Sequence, residues 1–352
     1  MPGATDHTAL LQKWRAGLSK DDRWCIVINA DPDALASAMA LKRIMLTKVH
    51  SVDIARINEV TRPDNLAMIR YLNIPVRPWL PENADKYDHL AMVDSQPHHC
   101  KTFHGLHFDC IIDHHPPPRS ANNSTGCSLA GPALFRDIRP DMGATSTMMA
   151  HYLKALRLRP SPRLATALLY GIRTDTATFE RSGGEDDFRA YQWLSRHADN
   201  SILRRILRSE YLPEWLPLFS RAFRSLTKCR GGAYAALNEV NSADLLVAVA
   251  DFFTRVHGLR WIAVSGVVDK TVIVIFRGDG GRDIGRLADA CFHDVGEAGG
   301  HRNLARAEFP LSAVPEGIKA SDFVLKRLAT RKLRPKSAPP ETPAPPAQQG
   351  TA

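Results

Sequence analysis

The sequence predicts an α/β protein with a parallel-sheet domain followed by a second, smaller α/β domain. In the first half of the chain, short apolar runs that end in acidic residues alternate with amphipathic helical patterns. This alternation is typical of a mainly parallel sheet that is covered on both faces. A second series of apolar runs begins near Gly231. Because 352 residues exceed the usual size of one hydrophobic core, we expect two domains.

The first strand and helix are the clearest elements. The apolar run WCIVINA at 24–30 predicts a buried strand, and the pattern at 34–47 predicts an amphipathic helix. Asp33 stands just before that helix, where an aspartate can cap the free backbone N–H groups. The first βα unit is therefore expected to place an acidic residue at the end of a strand.

Further strands and helices follow in alternation up to Asp175. The predicted strands are 51–57, 89–93 and 108–112, and the predicted helices are 63–72, 144–156 and 163–172. Pro63 suits the first turn of its helix. The last of these helices runs into the sequence GIRTDT, which contains Asp175. We therefore place the first domain at residues 1–185.

The second half of the chain contains a different set of elements. Residues 186–230 predict a connector of helices, and residues 231–315 predict the smaller domain. Its strands are WIAVSGVV and TVIVIFR, followed by the helix DIGRLADACFHDV and the glycine-rich EAGGH. Residues 316–352 predict a basic segment and a disordered tail that is rich in proline and alanine.

Composition excludes several classes of protein. No apolar run is long enough to cross a bilayer, and the first ten residues lack the pattern of a signal peptide. The six cysteines form no CxxC pair, which favours reduced thiols and a cytoplasmic location. The formal net charge is +9, but six basic residues lie at 326–336 without an acid. This charge gives weak support to a polyanionic substrate.

Acidic and imidazole side chains follow the predicted strands and the last helix of the first domain. These residues are Asp31, Asp33, Asp94, Asp113, His114, His115 and Asp175. Each aspartate alone fits a helix cap or turn. Ligands of parallel sheets bind beyond the carboxyl ends of the strands, so these side chains are expected to converge.

Several carboxylates in one cleft repel one another unless a cation neutralises them. Carboxylate and imidazole donors together suit Mn²⁺, Fe²⁺, Co²⁺ or Zn²⁺. Two such ions, roughly 3.5–4 Å apart, can activate water and stabilise charge on a phosphoryl group. A two-metal site of this kind is suited to the hydrolysis of a phosphoester.

The same residues resemble the successive motifs of the DHH phosphoesterase superfamily. The matching segments are NADPDALASAMAL, VDS at Asp94, DHH at Asp113 to His115, and GIRTDTATF around Asp175. In the second domain GEAGGHRNLA, residues 296–305, resembles the glycine-rich GGGH signature of the DHH-associated domain. The resemblance covers residues 24–310, and the motifs stand in the family's order.

The resemblance implies a role for each matching residue. Asp94 would bridge two divalent ions, for which the resemblance implies Mn²⁺, with Asp31 on the first ion. The second ion would be completed by Asp33, His114 and Asp175. The resemblance also implies that His115 faces the substrate phosphate and acts with Asp113 as the catalytic pair.

In the second domain the resemblance implies residues that bind the part of a nucleotide farthest from the metal site, or its phosphate. The residues concerned are Arg277, Gly299, Gly300 and His301. By themselves the two glycines fit a simple turn, and His301 fits a surface imidazole. The assignment therefore depends on the motifs of the first domain.

One departure from the family pattern concerns the first metal. The family has a histidine four residues before the first aspartate, where this chain has Val27. A gapped alignment places Asn29 there instead, and His98 or His99 could supply the missing imidazole. We therefore expect the first ion to be bound more weakly than the second.

The function that the resemblance implies is hydrolysis of short oligoribonucleotides or nucleotide phosphates such as adenosine bisphosphate. A cyclic-dinucleotide phosphodiesterase and an exopolyphosphatase share the chemistry and stay open as alternatives. A third alternative is a degenerate member that binds nucleotide or RNA without cleaving it, because of Val27. A homodimer is compatible with the sequence, and neither a membrane nor a protein partner is predicted.

Overall fold

A computed structural model describes residues 4–117, 133–179, 184–229 and 231–330. The chain divides into two compact units, Met1–Tyr211 and Leu212–Ala352. The division falls inside the segment at 186–230 that the sequence predicts as a connector. Each unit has its own sheet and its own apolar core.

The sheet of the first unit has six described strands, and every neighbouring pair is parallel. In chain order they are β1 (Arg23–Ile28), β2 (Ser51–Arg56), β3 (Val76–Pro78), β4 (His89–Val93), β5 (Cys110–Asp113) and β6 (Phe135–Ile138). Their order in the sheet is β3-β2-β1-β4-β5-β6. The predicted α/β class with a parallel sheet is confirmed. The short strands β3 and β6 were not predicted, since three or four residues give too little pattern.

The helices of the first unit lie against one face of this sheet. They are α1 (Ala4–Ala16), α2 (Pro32–Met45), α3 (Pro63–Leu72), α4 (Thr145–Ala155), α5 (Pro162–Asp175), α6 (Glu185–Ser195) and α7 (Asn200–Leu207). Trp24, Ile26 and Ile28 of β1 belong to the core that these helices share. Cys25 and Val27 point to the other face.

The other face of the sheet is also covered, as the sequence predicts, but by connecting segments. A smaller apolar cluster there contains Trp79, Phe103 and Phe108, which lie in connecting segments and short 3₁₀ turns. The two faces are both buried, but among the described residues only one carries α-helices. We call the face that carries Trp79, Phe103 and Phe108 the loop-covered face.

The cap of α2 corrects one prediction. Asp31, and not Asp33, is the cap, because its carboxylate accepts a hydrogen bond from the Ala34 N–H at 2.9 Å. The helix begins at Pro32, which favours the first helical turn. Asp33 is therefore inside the first turn, where it is fully buried.

The second unit has a mixed six-stranded sheet. Its strands are β7 (Thr227–Cys229), β8 (Gly232–Glu239), β9 (Trp261–Val268), β10 (Thr271–Gly278), β11 (Glu297–Gly300) and β12 (Leu304–Pro310), in the order β11-β12-β10-β9-β8-β7. Its helices are α8 (Leu216–Ser225), α9 (Ala243–Phe253), α10 (Ile284–Phe292) and α11 (Ala320–Thr330). Helices α8 and α9 pack on one face, and α10 and α11 pack on the other. The predicted tail lies outside the described residues.

Across the ranges that the structure describes, no helix combines the length and apolar character that a bilayer crossing requires.

Candidate functional site

Four side chains of the first unit come together beyond the carboxyl ends of its strands. Each of Asp33, Asp94, His114 and Asp175 offers a ligand atom that lies within 4.8 Å of the others. We call these four residues the acid cluster. They belong to the set that the sequence predicts to hold metal, and the structure brings them together from positions up to 142 residues apart.

Asp94 is a member of the acid cluster with an unusual backbone conformation. It follows β4 in a left-handed backbone conformation, with φ of 58°, which aspartate tolerates better than most residues. Its N–H donates to the carbonyl of Ile112 at 2.9 Å, so the ladder between β4 and β5 holds this conformation. Its buried carboxylate accepts a hydrogen bond from the Thr145 hydroxyl at 2.9 Å.

Asp33 is bound to the start of α4. One carboxylate oxygen accepts from the Thr145 N–H at 2.6 Å, and the other accepts from the Ser146 N–H at 2.8 Å. These N–H groups belong to the first turn of the helix, where they lack helical partners and the helix dipole favours an anion. The helix start therefore fixes the orientation of both oxygens.

His114 presents its Nε2 atom to the carboxylates. Its Nδ1 lies 3.2 Å from the carbonyl of Met142, which accepts a hydrogen bond from it. Nε2 lies 2.9 Å from Asp175 Oδ2 and 3.5 Å from Asp94 Oδ1, but without the alignment of a hydrogen bond. This buried nitrogen has no hydrogen-bond partner among the described residues. Such an arrangement is typical of a metal-binding histidine, whose other nitrogen is held by a carbonyl.

The charges of the cluster perturb one another strongly. Burial, and then the charge of Asp175, raise the pKa of Asp33 to about 7. Burial and the neighbouring carboxylates hold the pKa of Asp94 well above its usual range. Burial alone would lower the pKa of His114, but Asp175 and Asp33 raise it to about 9. A divalent cation would neutralise this repulsion, and oxygen with imidazole donors fits Mn²⁺ or Zn²⁺.

Asp31 stands beside the acid cluster and is not one of the four. Its carboxylate caps α2, and the residue is exposed to solvent. The protein atoms around the carboxylate, and then the charge of Asp175, raise its pKa to about 6. Its predicted role as a ligand of the first ion stays a prediction.

Asp113 and His115 form a hydrogen-bonded pair next to the cluster. Asp113 Oδ1 lies 2.8 Å from His115 Nδ1, and its Oδ2 accepts from the Gln96 side chain at 2.7 Å. Burial opposes ionisation of Asp113, but these hydrogen bonds outweigh it and hold its pKa below the usual value. The pair fixes the proton of His115 on Nδ1, so Nε2 is left available to a ligand.

The histidines proposed as substitutes for the family imidazole lie close to this pair. One ligand atom each of His99, Asp113 and His115 lie within 4.8 Å of one another. His99 Nδ1 accepts a hydrogen bond from the Gln96 N–H at 3.2 Å, which places the proton of the neutral ring on Nε2. For Nε2 to bind a metal, the ring would have to move its proton to Nδ1 and lose this hydrogen bond. The His98 ring packs edge-on against His99.

Val27 and Asn29 differ in their surroundings. Val27 is fully buried on the loop-covered face, in the apolar cluster that includes Cys25 and Met92. Asn29 is exposed.

Sequence reasoning missed the residues that orient the cluster from α4 and α6. Thr145 and Ser146 bind Asp33, and their helix start is itself held by Asp187. This buried carboxylate accepts from the Gly143 N–H at 3.1 and 3.0 Å and from the Thr147 hydroxyl. The run GATST at 143–147, with its small and hydroxyl side chains at a helix start, was the available signal.

A second missed residue, Asn58, fixes the segment that leads into Asp31. Its side-chain oxygen accepts from the Ala30 N–H at 2.6 Å, and its amide donates to the Ala30 carbonyl at 3.0 Å. Asn58 lies just beyond β2, beside the end of β1. This pair of hydrogen bonds holds the loop between β1 and α2.

In the second unit the predicted substrate residues lie on both sides of β12. Arg277 is paired with Leu304, and Gly300 is paired with Ala305. Arg277 Nε donates to Asp251 of α9 at 2.6 Å. The sequence left a turn open for Gly299 and Gly300, but both lie in strand β11.

Gly300 and His301 lie where the chain passes the start of α10. Gly300 has φ of 143°, and a side chain on it would collide with Leu304 and Ala305. The carbonyl of His301 accepts from the Gly285 N–H at 3.1 Å. The His301 ring is exposed. A glycine at position 300 is therefore explained by close packing, while the role of His301 toward substrate stays a prediction.

Comparison with known proteins gives a family match for the first unit. Residues 23–172 match the family described as DHH family, N-terminal domain. An uncharacterized protein of Methanocaldococcus jannaschii is 33% identical over 286 residues, which are 81% of this chain and 57% of the relative. The chain thus spans little more than half of that relative's length.

Two solved structures resemble the chain over most of its length. An exopolyphosphatase-related protein from Bacteroides fragilis has a TM-score of 0.70 at 17% identity, over 92% of this chain and 94% of the other. RecJ from Thermus thermophilus, in complex with Mn²⁺, has a TM-score of 0.46 at 13% identity, over 94% and 54%. The first similarity shows a shared fold, and the second is too distant to support a conclusion.

Proposed function

We propose that this chain is a metal-dependent phosphoesterase, because residues 23–172 match the family described as DHH family, N-terminal domain. Its substrates would be short oligoribonucleotides or nucleotide phosphates such as adenosine bisphosphate. The observation that carries the proposal is the buried Nε2 of His114, which faces Asp94 and Asp175 and has no hydrogen-bond partner among the described residues.

The residues of the acid cluster would hold a divalent ion, for which Mn²⁺ is the proposed choice. Such an ion stabilises negative charge on a phosphoryl oxygen and lowers the pKa of water. Asp31 and Asp94 would hold a second ion, and we expect weaker binding there because the family histidine is replaced by Val27. Metal content after gel filtration should therefore be nearer one ion per chain than two.

The protein's own groups would orient the substrate. His115 can donate a hydrogen bond to a phosphate oxygen once its Nε2 is protonated, and Asp113 fixes and stabilises the ring through Nδ1. Gln96 holds Asp113 from the other side and donates to the His115 carbonyl at 2.9 Å. The backbone start of α4 keeps Asp33 in position before any ligand arrives, which reduces the reorganisation needed for the reaction.

The test is turnover by the purified full chain with added Mn²⁺. The substrates are an RNA dinucleotide, adenosine bisphosphate, a cyclic dinucleotide and inorganic polyphosphate. We expect phosphate or mononucleotide release from one of the first two, and loss of that release in Asp94→Asn. Release only from the cyclic dinucleotide or polyphosphate would change the substrate class.

Absence of turnover on all four substrates by protein that retains bound Mn²⁺ would contradict the proposed hydrolysis. That result, together with measurable binding of the dinucleotide, would identify a nucleotide-binding protein that does not cleave.

A further inference from the structure

A separate cavity of about 250 Å³ opens on the loop-covered face of the first sheet, at the edge formed by β2 and β3. The side chains that give it its character are Arg23, Asp53, Arg77, Trp79, Lys86 and Tyr87. We call this cavity the edge pocket. It contains no residue of the acid cluster and neither member of the pair of Asp113 and His115.

The walls of the edge pocket are fixed by the end of β3 and the turn after it. The Trp79 N–H donates to the Arg56 carbonyl at 2.7 Å, which holds the chain against β2. Trp79 itself is buried in the apolar cluster of this face. The 3₁₀ turn Pro81–Lys86 then forms the rim. The pocket is thus supported by the core of the unit.

Cations dominate the charge of the edge pocket. Three cationic side chains and one carboxylate line it. Arg23 contacts Asp88 through Nε at 3.3 Å. Lys86 donates to the neutral amide of Asn83 at 2.5 Å. Arg77 is exposed and has no ion pair or side-chain hydrogen bond among the described residues, so its guanidinium is free to bind an anion.

The single carboxylate, Asp53, lies on the sheet surface within the pocket. Its Oδ2 accepts a hydrogen bond from the Tyr87 hydroxyl at 3.0 Å. This hydrogen bond fixes the Tyr87 ring at the side of the pocket and provides one of the hydrogen bonds that the carboxylate can accept. Asp53 keeps its other oxygen for a hydroxyl or amino group, and it would repel a bare anion placed against it.

We propose that the edge pocket binds a small phosphate-bearing anion, either inorganic phosphate or a nucleoside monophosphate. Guanidinium groups bind phosphate oxygens through charge-assisted hydrogen bonds, and Arg77 with Lys86 supplies two cations without a carboxylate partner. The volume of the edge pocket is below the usual range for pockets that bind drug-sized ligands, roughly 300–1,000 Å³. The ligand is therefore expected to be as small as inorganic phosphate or a nucleoside monophosphate. The site is independent of the acid cluster and of the hydrolysis proposed above.

The test is calorimetric titration of the full chain with inorganic phosphate and, separately, with AMP. We expect Arg77→Ala and Lys86→Ala each to weaken binding roughly tenfold, because a hydrogen bond to a charged group is lost. Both residues are exposed, so folding should be preserved. Arg70→Ala, at an exposed arginine of α3 outside the pocket, is the matched control and should bind as the unmodified chain does.

Asp53→Asn distinguishes the two ligand sources. It should strengthen binding of inorganic phosphate, because a repulsive charge is removed. It should weaken the binding of AMP, because a hydroxyl or amino group of AMP would lose a charged hydrogen-bond acceptor. If the unmodified chain binds AMP more tightly than inorganic phosphate, and Asp53→Asn weakens AMP binding, the pocket is a nucleotide site. If the chain binds both probes equally, the pocket is a phosphate site.

Binding that is unchanged by Arg77→Ala and Lys86→Ala would overturn the proposal. The same conclusion follows if Asp94→Asn abolishes binding, because the anion would then occupy the acid cluster. Neither result depends on whether the chain hydrolyses phosphoesters, so failure here and failure of the proposed function can be told apart.

Discussion

The acid cluster of the first unit and the predicted substrate residues of the second unit differ in how far other protein groups provide their hydrogen bonds and balance their charges. In the acid cluster His114 Nε2 has no hydrogen-bond partner among the described residues, and the pKa values of Asp33 and Asp94 are raised. In the second unit Arg277 is bound to Asp251, and the His301 carbonyl is bound to the start of α10.

This difference separates a site that needs a ligand from one that is complete without it. Repulsion between buried carboxylates destabilises the folded chain until a cation binds. Arg277, in contrast, must break its ion pair with Asp251 before it can bind a substrate phosphate. Its contact with the substrate therefore contributes less binding free energy than a contact from an unpaired arginine would. We therefore expect substitutions in the acid cluster to affect turnover, and substitutions in the second unit to affect mainly KM.

The largest effect should come from Asp94→Ala. Because Asp94 is proposed to hold both ions and no neighbour can take its place, kcat should fall by roughly 10²–10³-fold or more. Asp175→Ala and His114→Ala should also be severe. Asp85→Asn, at an exposed aspartate outside the cluster, is the control and should keep full kcat. Near-normal turnover by Asp94→Ala with Mn²⁺ would mean that the acid cluster is not the reactive centre.

Asp113→Asn should have the next largest effect. The amide can no longer accept from both Gln96 and His115 as the carboxylate does, so the orientation and protonation of His115 are disturbed. Loss of such a supporting carboxylate commonly costs about 10–100-fold in activity. Steady-state kinetics should show the loss in kcat, while the exposed Asp88→Asn control stays normal. A change confined to KM would instead indicate a role in substrate binding.

Arg277→Ala should have a smaller effect and would sharpen the contrast between the two units. If Arg277 contacts the substrate equally in the ground state and the transition state, KM rises severalfold and kcat stays unchanged. Asp251→Asn weakens the same ion pair but keeps the guanidinium, and KM should not rise in this variant. Equal effects of the two substitutions would show that the pair only supports α9 against β10.

The smallest expected effect is the dependence of thermal stability on pH in metal-free protein. The folded pKa of Asp33, about 7, lies above its ordinary value of 3.8. Its stabilising contribution is therefore complete below about pH 4 and is lost as pH rises through about 7. The raised pKa of His114, about 9, continues the loss at higher pH. Tm should decrease from pH 5 to 8.

Two measurements check this pH dependence by differential scanning fluorimetry. Asp33→Asn should show a shallower decrease of Tm over the same range, whatever its absolute stability. Added Mn²⁺ should raise Tm of the unmodified chain most at the higher pH, because ionised carboxylates bind the ion. A Tm that rises with pH in metal-free protein would contradict the proposed repulsion within the cluster.

The sequence by itself determined the parallel sheet and the acidic residues at its carboxyl edge. Apolar runs such as 89–93 are long enough to identify strands, and Asp94 or Asp113 directly follows or ends such a strand. Since parallel strands all end at one edge, their order in the sequence already implies that these side chains converge. Distances between them do not have to be known for that inference.

Only the tertiary structure decided which groups orient these carboxylates. Asp33 is held by Thr145, 112 residues later in the chain, and nothing local to Asp33 encodes that partner. The location of the α-helices of the first unit on one side of its sheet has the same origin. Such contacts depend on how whole elements pack, and packing selects among local patterns that are equally acceptable in the sequence.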